Sequence, residues 1–447
     1  MYKSFIVFLS LIIWGIGMPM ARAQTVEYTL EEILKFSYNN QPLLKQTLLE
    51  KDLTDARVRS DLSGWLPQIG LDGDYFRYFE QPVAIFPDFN NPTSGQFQEV
   101  RTGVPYNSNL NFFLDQPIFN NQLILAKDQA NLRRRETDQQ LKIFLIDFKI
   151  EVSKAFYEVL LSQEQIRITE EDLQRQERQL RDARSLYEAG ITDNIDYKRA
   201  TITLQNTRSS LYQSRETFEV RMALLRELSG LGIDEPITLA YDLEGMISGA
   251  MVDTLEGVDI SQRPEIHQIQ LQQSLQDMNV SFFKRTYIPQ LSAFLNYNII
   301  YQSPFGDQLF DRAYPNSLAG LRLSFPIFQG GKRNHDIRVA NLELRQLELA
   351  QDNLSLQLQR EHQEALSNYK SNLYQMYILE GNNQLAEEIY NTVSLQYEAG
   401  IKNFLEVIQA ETDLRTSRIN YYNAVFRLMG SKLDLLKARG QLEVDIY

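Results

Sequence analysis

The sequence predicts a mixed α and β membrane protein built by internal duplication, with four β-strands per chain that close into a barrel only together with further copies of the chain. Three observations predict it. An export signal is followed by no apolar run long enough for a membrane helix, a block of about 200 residues returns in the same order, and heptad-patterned helices adjoin runs of strict apolar–polar alternation.

The N-terminus carries an address. Lys3 gives a positive start, Phe5 to Met18 form an apolar stretch, and Pro19 breaks it ahead of Ala21-Arg22-Ala23, a cleavage pattern that would leave Gln24 as the new N-terminus. An uncleaved anchor is the alternative, but the run is short for a span. Beyond Gln24 no stretch approaches about 18 consecutive apolar residues, so any membrane the mature chain crosses must be crossed by strands. At 447 residues, length alone suggests two or three domains, and sparse Gly and Pro beside plentiful charge and ordinary apolar content argue against wholesale disorder. The absence of Cys excludes disulfides, a thiol nucleophile, a Cys-based metal site and lipid attachment at an N-terminal Cys. A formal charge of −13 argues against nucleic acid as a partner. It suits a passage that tolerates cations, although a soluble acidic protein shares it.

The repeat is explicit. Tyr187-Glu188-Ala189-Gly190-Ile191 returns as Tyr397-Glu398-Ala399-Gly400-Ile401, with Ala200 and Leu204 falling on Ala410 and Leu414 at the same displacement. Pro117-Ile118-Phe119 returns as Pro326-Ile327-Phe328, and Ala130-Asn131-Leu132 as Ala340-Asn341-Leu342. Upstream, Gln41-Pro42 pairs with Arg263-Pro264, and Leu66-Pro67-Gln68-Ile69 with Ile288-Pro289-Gln290-Leu291. Each half therefore runs short helix, strand, loop, strand, very long helix, Gly turn, medium helix.

From Ile118 to Ala189 there is neither Gly nor Pro, enough for a rod on the order of 100 Å. Within it Leu145, Val152, Val159, Ile166, Leu173, Leu180 and Tyr187 keep a seven-residue spacing, the seam of a coiled coil. After the turn, Tyr197, Leu204, Leu211, Phe218 and Leu225 continue at sevens, matched by Val407, Leu414, Tyr421, Leu428 and Leu435. Gly190 and Gly400 thus each cap an antiparallel hairpin. In the second long helix, Gly381 and Asn383 predict a bend or a local unwinding. The arm leaving Gly190 ends near Ser229-Gly230, about half as far as its partner, so short helices at Leu30–Leu62 and Thr254–Arg285 are expected to stack end to end opposite the remainder. The boundaries that follow are a signal peptide at 1–23, a first repeat at 24–231, a connecting equatorial segment at 232–253, a second repeat at 254–440 and a tail at 441–447.

Strands are expected at 67–79, 104–116, 289–301 and 316–327. Ile69, Leu71, Tyr75 and Phe79 alternate with polar neighbours, as do Tyr106, Leu110, Phe112 and Leu114; Leu291, Ala293, Leu295, Tyr297, Ile299 and Tyr301; and Ala319, Leu321, Leu323 and Phe325. A half-buried soluble sheet alternates too, but four such runs behind a signal peptide favour a membrane sheet. A lipid-exposed sheet must close, and four strands enclose nothing. Three chains give twelve strands; two give eight, a bore that side chains would fill.

These residues resemble the outer-membrane efflux protein (TolC) family over essentially the whole mature chain. The resemblance rests on the duplicated order, the prolines at strand–helix junctions (Pro67, Pro117, Pro289, Pro326) and the paired Gly turns. It implies a homotrimer with a twelve-stranded barrel in outer-membrane lipid, continued by a long periplasmic α-helical coiled-coil barrel. It implies a passive exit channel of a tripartite efflux pump or type I secretion system, served by a periplasmic adaptor and an inner-membrane transporter. Ala189-Gly190-Ile191 and Ala399-Gly400-Ile401 resemble the tips that meet the adaptor, although Gly also simply ends a helix by supplying positive φ. Glu406 resembles the acidic residue whose three copies line the pore constriction, where carboxylates attract cations. A second acidic ring expected one turn later is replaced here by Gln409, so cation selectivity should be weaker. Asp196, Tyr397 and Lys402 resemble the polar links that latch the tips. Individually such surface pairs contribute about 0–1 kcal/mol, weak enough for an adaptor to undo. Solvated helix-face residues are the plain alternative for all of these.

Enzymatic readings fare poorly. Phe328-Gln329-Gly330-Gly331-Lys332-Arg333 lacks the first Gly and the Ser or Thr of a phosphate loop and reads as a strand-to-helix turn. His267, His335 and His362 fall in no ligand spacing and read as solvated helix residues, and Glu170-Glu171-Asp172 reads as a solvated helix face. No catalytic, cofactor or metal site is expected. The competing reading is a periplasmic coiled-coil scaffold or adaptor-like interaction protein with a soluble sheet; such adaptors carry one hairpin, where this chain has two. The loops Glu80–Gly103 and Gln302–Pro315 are expected to face outside.

Overall fold

The computed structural model describes residues 26–87, 95, 97–255, 257 and 259–444. The expected signal peptide and its cleavage pattern lie outside the described residues, as does part of the first outer loop. The described chain divides into two compact units, each of which draws on both sequence repeats. One takes in the chain to Gln41, Val152–Ala250 and Leu385–Phe426; the other takes in Pro42–Glu151, Met251–Gln384 and the chain from Arg427.

The second of these units holds the sheet. Strands β2 (Gln68–Arg77), β5 (Tyr106–Phe119), β7 (Gln290–Ser303) and β8 (Ala313–Ser324) pair antiparallel in the order β2-β5-β7-β8. The register puts Ile69, Leu114, Leu295 and Ala319 in one cross-strand row and Leu71, Phe112, Tyr297 and Ser317 in the next on that face. On the opposite face Asp72, Asn111, Asn298 and Asn316 form a polar row, and Asn298 donates to Asn316 at 3.0 Å. One face is therefore mainly apolar, as the alternation predicts, while the other carries polar rows interrupted by Phe113, Phe294, Ile300 and Leu318. Among the described residues β2 and β8 each pair on one side only, so the sheet ends in two open edges. The loop after β2 carries a hairpin that the sequence reading missed, β3 (Val83–Pro87) with β4 (Phe97–Arg101).

Around the sheet's base, α2 (Pro42–Ser63), α3 (Asn121–Glu188), α6 (Pro264–Arg285) and α7 (Lys332–Glu398) pack side by side. Lys51–Asp138, Arg134–Asp55 and Arg133–Asp61 run antiparallel between α2 and α3. Helix α6 lies between α3 and α7, bonding Asp128 through Arg285 on one side and the Leu347 and Ala340 carbonyls through Gln273 and Gln276 on the other. Asn120 caps α3, its side chain accepting from the Gln122 and Leu123 amides. Gly330 and Gly331, at φ 60° and 81°, make the turn into α7.

The first unit holds both hairpin tips. Helix α4 (Asn194–Ser229) returns along α3 through Arg208–Glu177, Arg215–Glu170 and Arg221–Glu158. Helix α8 (Phe404–Ala438) lies against α3 on its other side and bonds α7 beyond, with Arg418 reaching both Glu171 and Glu387. The connecting segment supplies β6 (Ile237–Leu239), paired in parallel with β1 (Val26–Tyr28), and α5 (Leu243–Gly249).

Two expectations are corrected. Of the bend or local unwinding expected at Gly381 and Asn383, the unwinding is absent: α7 runs as continuous helix there, because one Gly costs only about 1 kcal/mol in a helix so long. The short helices are interrupted or late. α1 (Leu30–Asn40) stops at Gln41 before Pro42, and α6 begins at Pro264 rather than near Thr254, since Pro starts a helix readily and ends the one before it.

Candidate functional site at the hairpin tips

Both tips close in the same way. At the first, the Gly190 amide donates to Tyr187 and the Ile191 amide to Leu186; at the second, Gly400 donates to Tyr397 and Ile401 to Gln396. This is the paired-bond helix stop that needs a left-handed residue, and Gly190 and Gly400 sit at φ 71° and 73°. Nothing lies within 4 Å of where a Cβ would stand on either glycine, and Ile191 and Ile401 are 71% and 72% exposed. Asp193 caps α4 by accepting from the Ile195 amide, and Asn403 does the same for α8 through the Glu406 amide. Behind the tips Ala183, Ala200 and Phe404 form a small buried core with Leu180, Tyr397 and Ile408 against it, so the two hairpins are packed together there.

Of the residues singled out for latching and gating, Lys402 and Glu406 bond each other, and Tyr397 lies close enough to Asp196 to feel its charge. Lys402 bonds Glu406 across one helical turn at 2.8 Å, the pairing that a spacing of four on one helix allows. Asn403 also donates to Glu406. Tyr397 stacks obliquely on Phe404, and its hydroxyl is held above the ordinary tyrosine range by burial and by the charges of Asp196 and Asp182. Gln409 is exposed and donates to Asp413 at 2.9 Å.

Further from the tips, the face that α3 turns to α8 is polar, which the heptad reading missed. A seven-residue seam drifts by about 20° per heptad on a straight helix. Val152 and Val159 are accordingly fully buried while Tyr187 is exposed. Asp172, Arg175, Gln176 and Gln179 take over the contact face and meet Glu411, with Arg415 bonding Asp172. The expectation that Glu170-Glu171-Asp172 is a solvated face holds only in part. Glu170 pairs with Arg215 and Glu171 with Arg167 and Arg418, but Asp172 is only 1% exposed. A readable signal existed: polar residues at i, i+3, i+4 and i+7 on α3, opposite Glu411, Arg415 and Arg418 at i, i+4 and i+7 on α8. Nearby, Tyr241 of the connecting segment hydrogen-bonds Glu164, which also holds Arg167. His362 is likewise not solvated. It is half-buried with Nε2 shielded, and burial lowers its proton affinity.

A duplicated order of helix, sheet and tip at this spacing matches the outer membrane efflux protein model over residues 35–231 and 259–441. The chain belongs to the outer membrane efflux protein family. Outer membrane protein TolC of Vibrio cholerae is 20% identical over 442 residues, covering 93% of this chain and 92% of that one. The proteases secretion protein PrtF of Dickeya chrysanthemi is 20% identical over 422 residues, covering 91% of this chain and 87% of that one. Among solved structures, the CmeC outer membrane channel of Campylobacter jejuni superposes with a TM-score of 0.71 at 16% identity, over 93% of this chain and 87% of that one. As a member of the efflux family the chain is an outer-membrane protein of mixed helix and strand, an exit channel of efflux or secretion systems, and the scaffold reading falls away.

Proposed function

We propose that the chain acts as a homotrimeric passive duct. Its sheets would close into a twelve-stranded barrel in outer-membrane lipid, and its hairpins would form a periplasmic tunnel whose tips receive a periplasmic adaptor and, through it, an inner-membrane transporter. The observation that carries this reading is the four-stranded sheet with one apolar face and two open edges, β2 and β8. Unpaired strand edges in lipid cost several kcal/mol per backbone group, so copies must supply the missing neighbours. Leu342, Leu349 and Leu356 support it from the helical side, as a heptad-spaced apolar row more than half exposed on α7. The tips are bare and apolar at Ile191 and Ile401, which suits docking of a partner helical hairpin. Three copies of Glu406 around an axis would favour cations, and Lys402 at each would moderate that preference.

Planar-bilayer conductance of the detergent-purified protein tests the duct. The expected result is a small cation-preferring current, with selectivity reduced in Glu406→Gln and raised in Lys402→Ala. No current from protein that is trimeric in detergent would sink the channel. A current whose selectivity ignores both substitutions would move the constriction elsewhere.

A further inference from the structure

The edge strands β2 and β8 each pair on one side only among the described residues, and the internal duplication specifies what belongs on the other side. One displacement carries Pro42 to Pro264 and Gln68 to Gln290, so α2 and β2 stand in the first repeat where α6 and β7 stand in the second. Another carries Pro117 to Pro326 and sets β5 against β8. The observed ladders test both displacements at once. Applied to the β2–β5 pairs Gln68 with Asp115 and Asp74 with Asn109, they give Gln290 with Ser324 and Asn296 with Leu318, which are pairs of the β7–β8 ladder. Duplication thus preserved register without a slip. One ladder has no counterpart within the chain: β5 with β7, which joins the last strand of one repeat to the first strand of the next. Its counterpart is β8 with β2, and those two strands are the open edges.

We propose that β8 of one copy pairs antiparallel with β2 of the next copy in the register of β5 with β7, which sets Arg322 opposite Asp74 and Leu321 opposite Tyr75. This seam deepens the duct reading and rests on it, because it names the surface through which one copy takes the next. Three properties that play no part in its derivation agree with it. Leu321 and Tyr75, 68% and 64% exposed in the single chain, fall together on the apolar face, whereas a slip of one residue would set apolar side chains against the opposite face. Arg322, whose approach to Asp115 within the chain is 3.8 Å, meets the exposed Asp74 as an opposite charge across the seam. The helices beneath transfer in the same way, since Ala130 to Ala340 carries α3 to α7 and the α3–α6 contact becomes α7 with the neighbouring copy's α2. The Gln272–Glu136 hydrogen bond becomes Glu50 with Gln346, the same pairing with amide and carboxylate exchanged. The groove that Leu132, Gln139 and Leu271 line between α3 and α6 becomes one lined by Leu342, Leu349 and Leu49. These three leucines are 57%, 53% and 56% exposed in the single chain, so the seam between copies is more apolar than its internal template.

The chain has no Cys, so introduced pairs report the register directly. Residues 75 and 321 lie on opposite edges of the four-stranded sheet, at least about 14 Å apart at the usual strand spacing, so a disulfide between them must join two copies. Tyr75→Cys with Leu321→Cys, oxidised in membrane fractions of the full-length protein, should give covalent dimers and trimers on a non-reducing gel. Tyr75→Cys with Ala319→Cys or with Leu323→Cys stands two residues off that register, a diagonal of about 7–8 Å beyond disulfide reach, and both products should be lost. Should the sheet variants fail to fold, Glu50→Cys with Gln346→Cys, joined by a short bismaleimide, decides from the helical side; it should link, and Glu50→Cys with Asn353→Cys, two turns along, should not. Products from an off-register pair in place of the expected one, or no product from any pair in protein that conducts current, overturn the seam and leave the duct. The expected products in protein that carries no current uphold the seam and remove the duct. Neither product nor current overturns both.

Discussion

Helices α3 and α7 occupy equivalent places in the two repeats and differ by one residue in length, 68 against 67, yet they live in different surroundings. Along α3, Leu141, Leu145, Phe148, Val152, Phe156, Val159 and Leu160 are all buried, because helices flank it on both sides. Along α7, Leu342, Leu349, Leu356, Leu385 and Ile389 are mostly exposed, and its bonds run to α6 in one unit and α8 in the other. The joints differ as well. Gly230 and Gly440 end the two return arms at the same φ of 71°. A Cβ on Gly230 would stand 2.8 Å from the Gln41 backbone, whereas on Gly440 the nearest atom is at 3.7 Å. Duplication preserved the backbone plan and let each copy adapt its side chains to its neighbours: α3 became an internal helix and α7 kept an exposed apolar row.

That contrast can be broken in four ways. The largest effect is expected from Phe156→Ala on α3, a cavity in the internal helix worth about 3–5 kcal/mol, read as a lowered midpoint of urea or thermal unfolding. A loss under 1 kcal/mol would mean that α3 is not the internal helix it is taken to be. Next comes Arg263→Gln, which installs the residue of the first repeat at Gln41's counterpart. Arg263 is 1% exposed and bonds Glu265 and Glu361, so its removal should cost about 2 kcal/mol at pH 7, the scale of a charge-assisted hydrogen bond. Although burial opposes it, Arg263 draws the Glu265 carboxyl below its ordinary 4.5. A depressed carboxylate contributes its stability above the unfolded pKa and loses it as pH falls, so the deficit of Arg263→Gln should shrink below about pH 4.5. A deficit that is flat across pH 3.5–7 would assign it to packing alone.

Smaller still, Gly230→Ala and Gly440→Ala share a left-handed strain of about 1 kcal/mol, and the backbone clash should make the first the more costly by a further amount of similar size. Equal losses would show that the α1–α2 junction yields freely. The smallest effect on the fold of the chain is expected from Leu356→Asp, at a site 65% exposed on α7: within about 0.5 kcal/mol of chain stability, but with assembly lost in light scattering. Retention of the wild-type oligomer would exclude this row from the interface.

Much of this was legible beforehand, for identifiable reasons. The strand rows followed from period-two alternation, and the tips from a repeated Tyr-Glu-Ala-Gly-Ile that only a left-handed stop explains. Helix α7 exceeded expectation because Gly381 weakens a helix without breaking it. The buried role of Asp172 was hidden, since a charge run looks solvated until its partners are known, and Glu411, Arg415 and Arg418 lie more than two hundred residues away. The pairing of Lys402 with Glu406 was open to sequence, because the spacing of four was there to see.

The parallel ladder of Val26–Tyr28 with Ile237–Leu239 joins segments roughly 210 residues apart. Such a contact has a high closure entropy and forms late. The strand at Val26–Tyr28 can therefore pair only once the connecting segment, a full repeat later in the sequence, is available to it. A single three-residue ladder thus times the completion of the first repeat, and a bulky fusion placed just ahead of Val26 should delay maturation more than one appended at the far end.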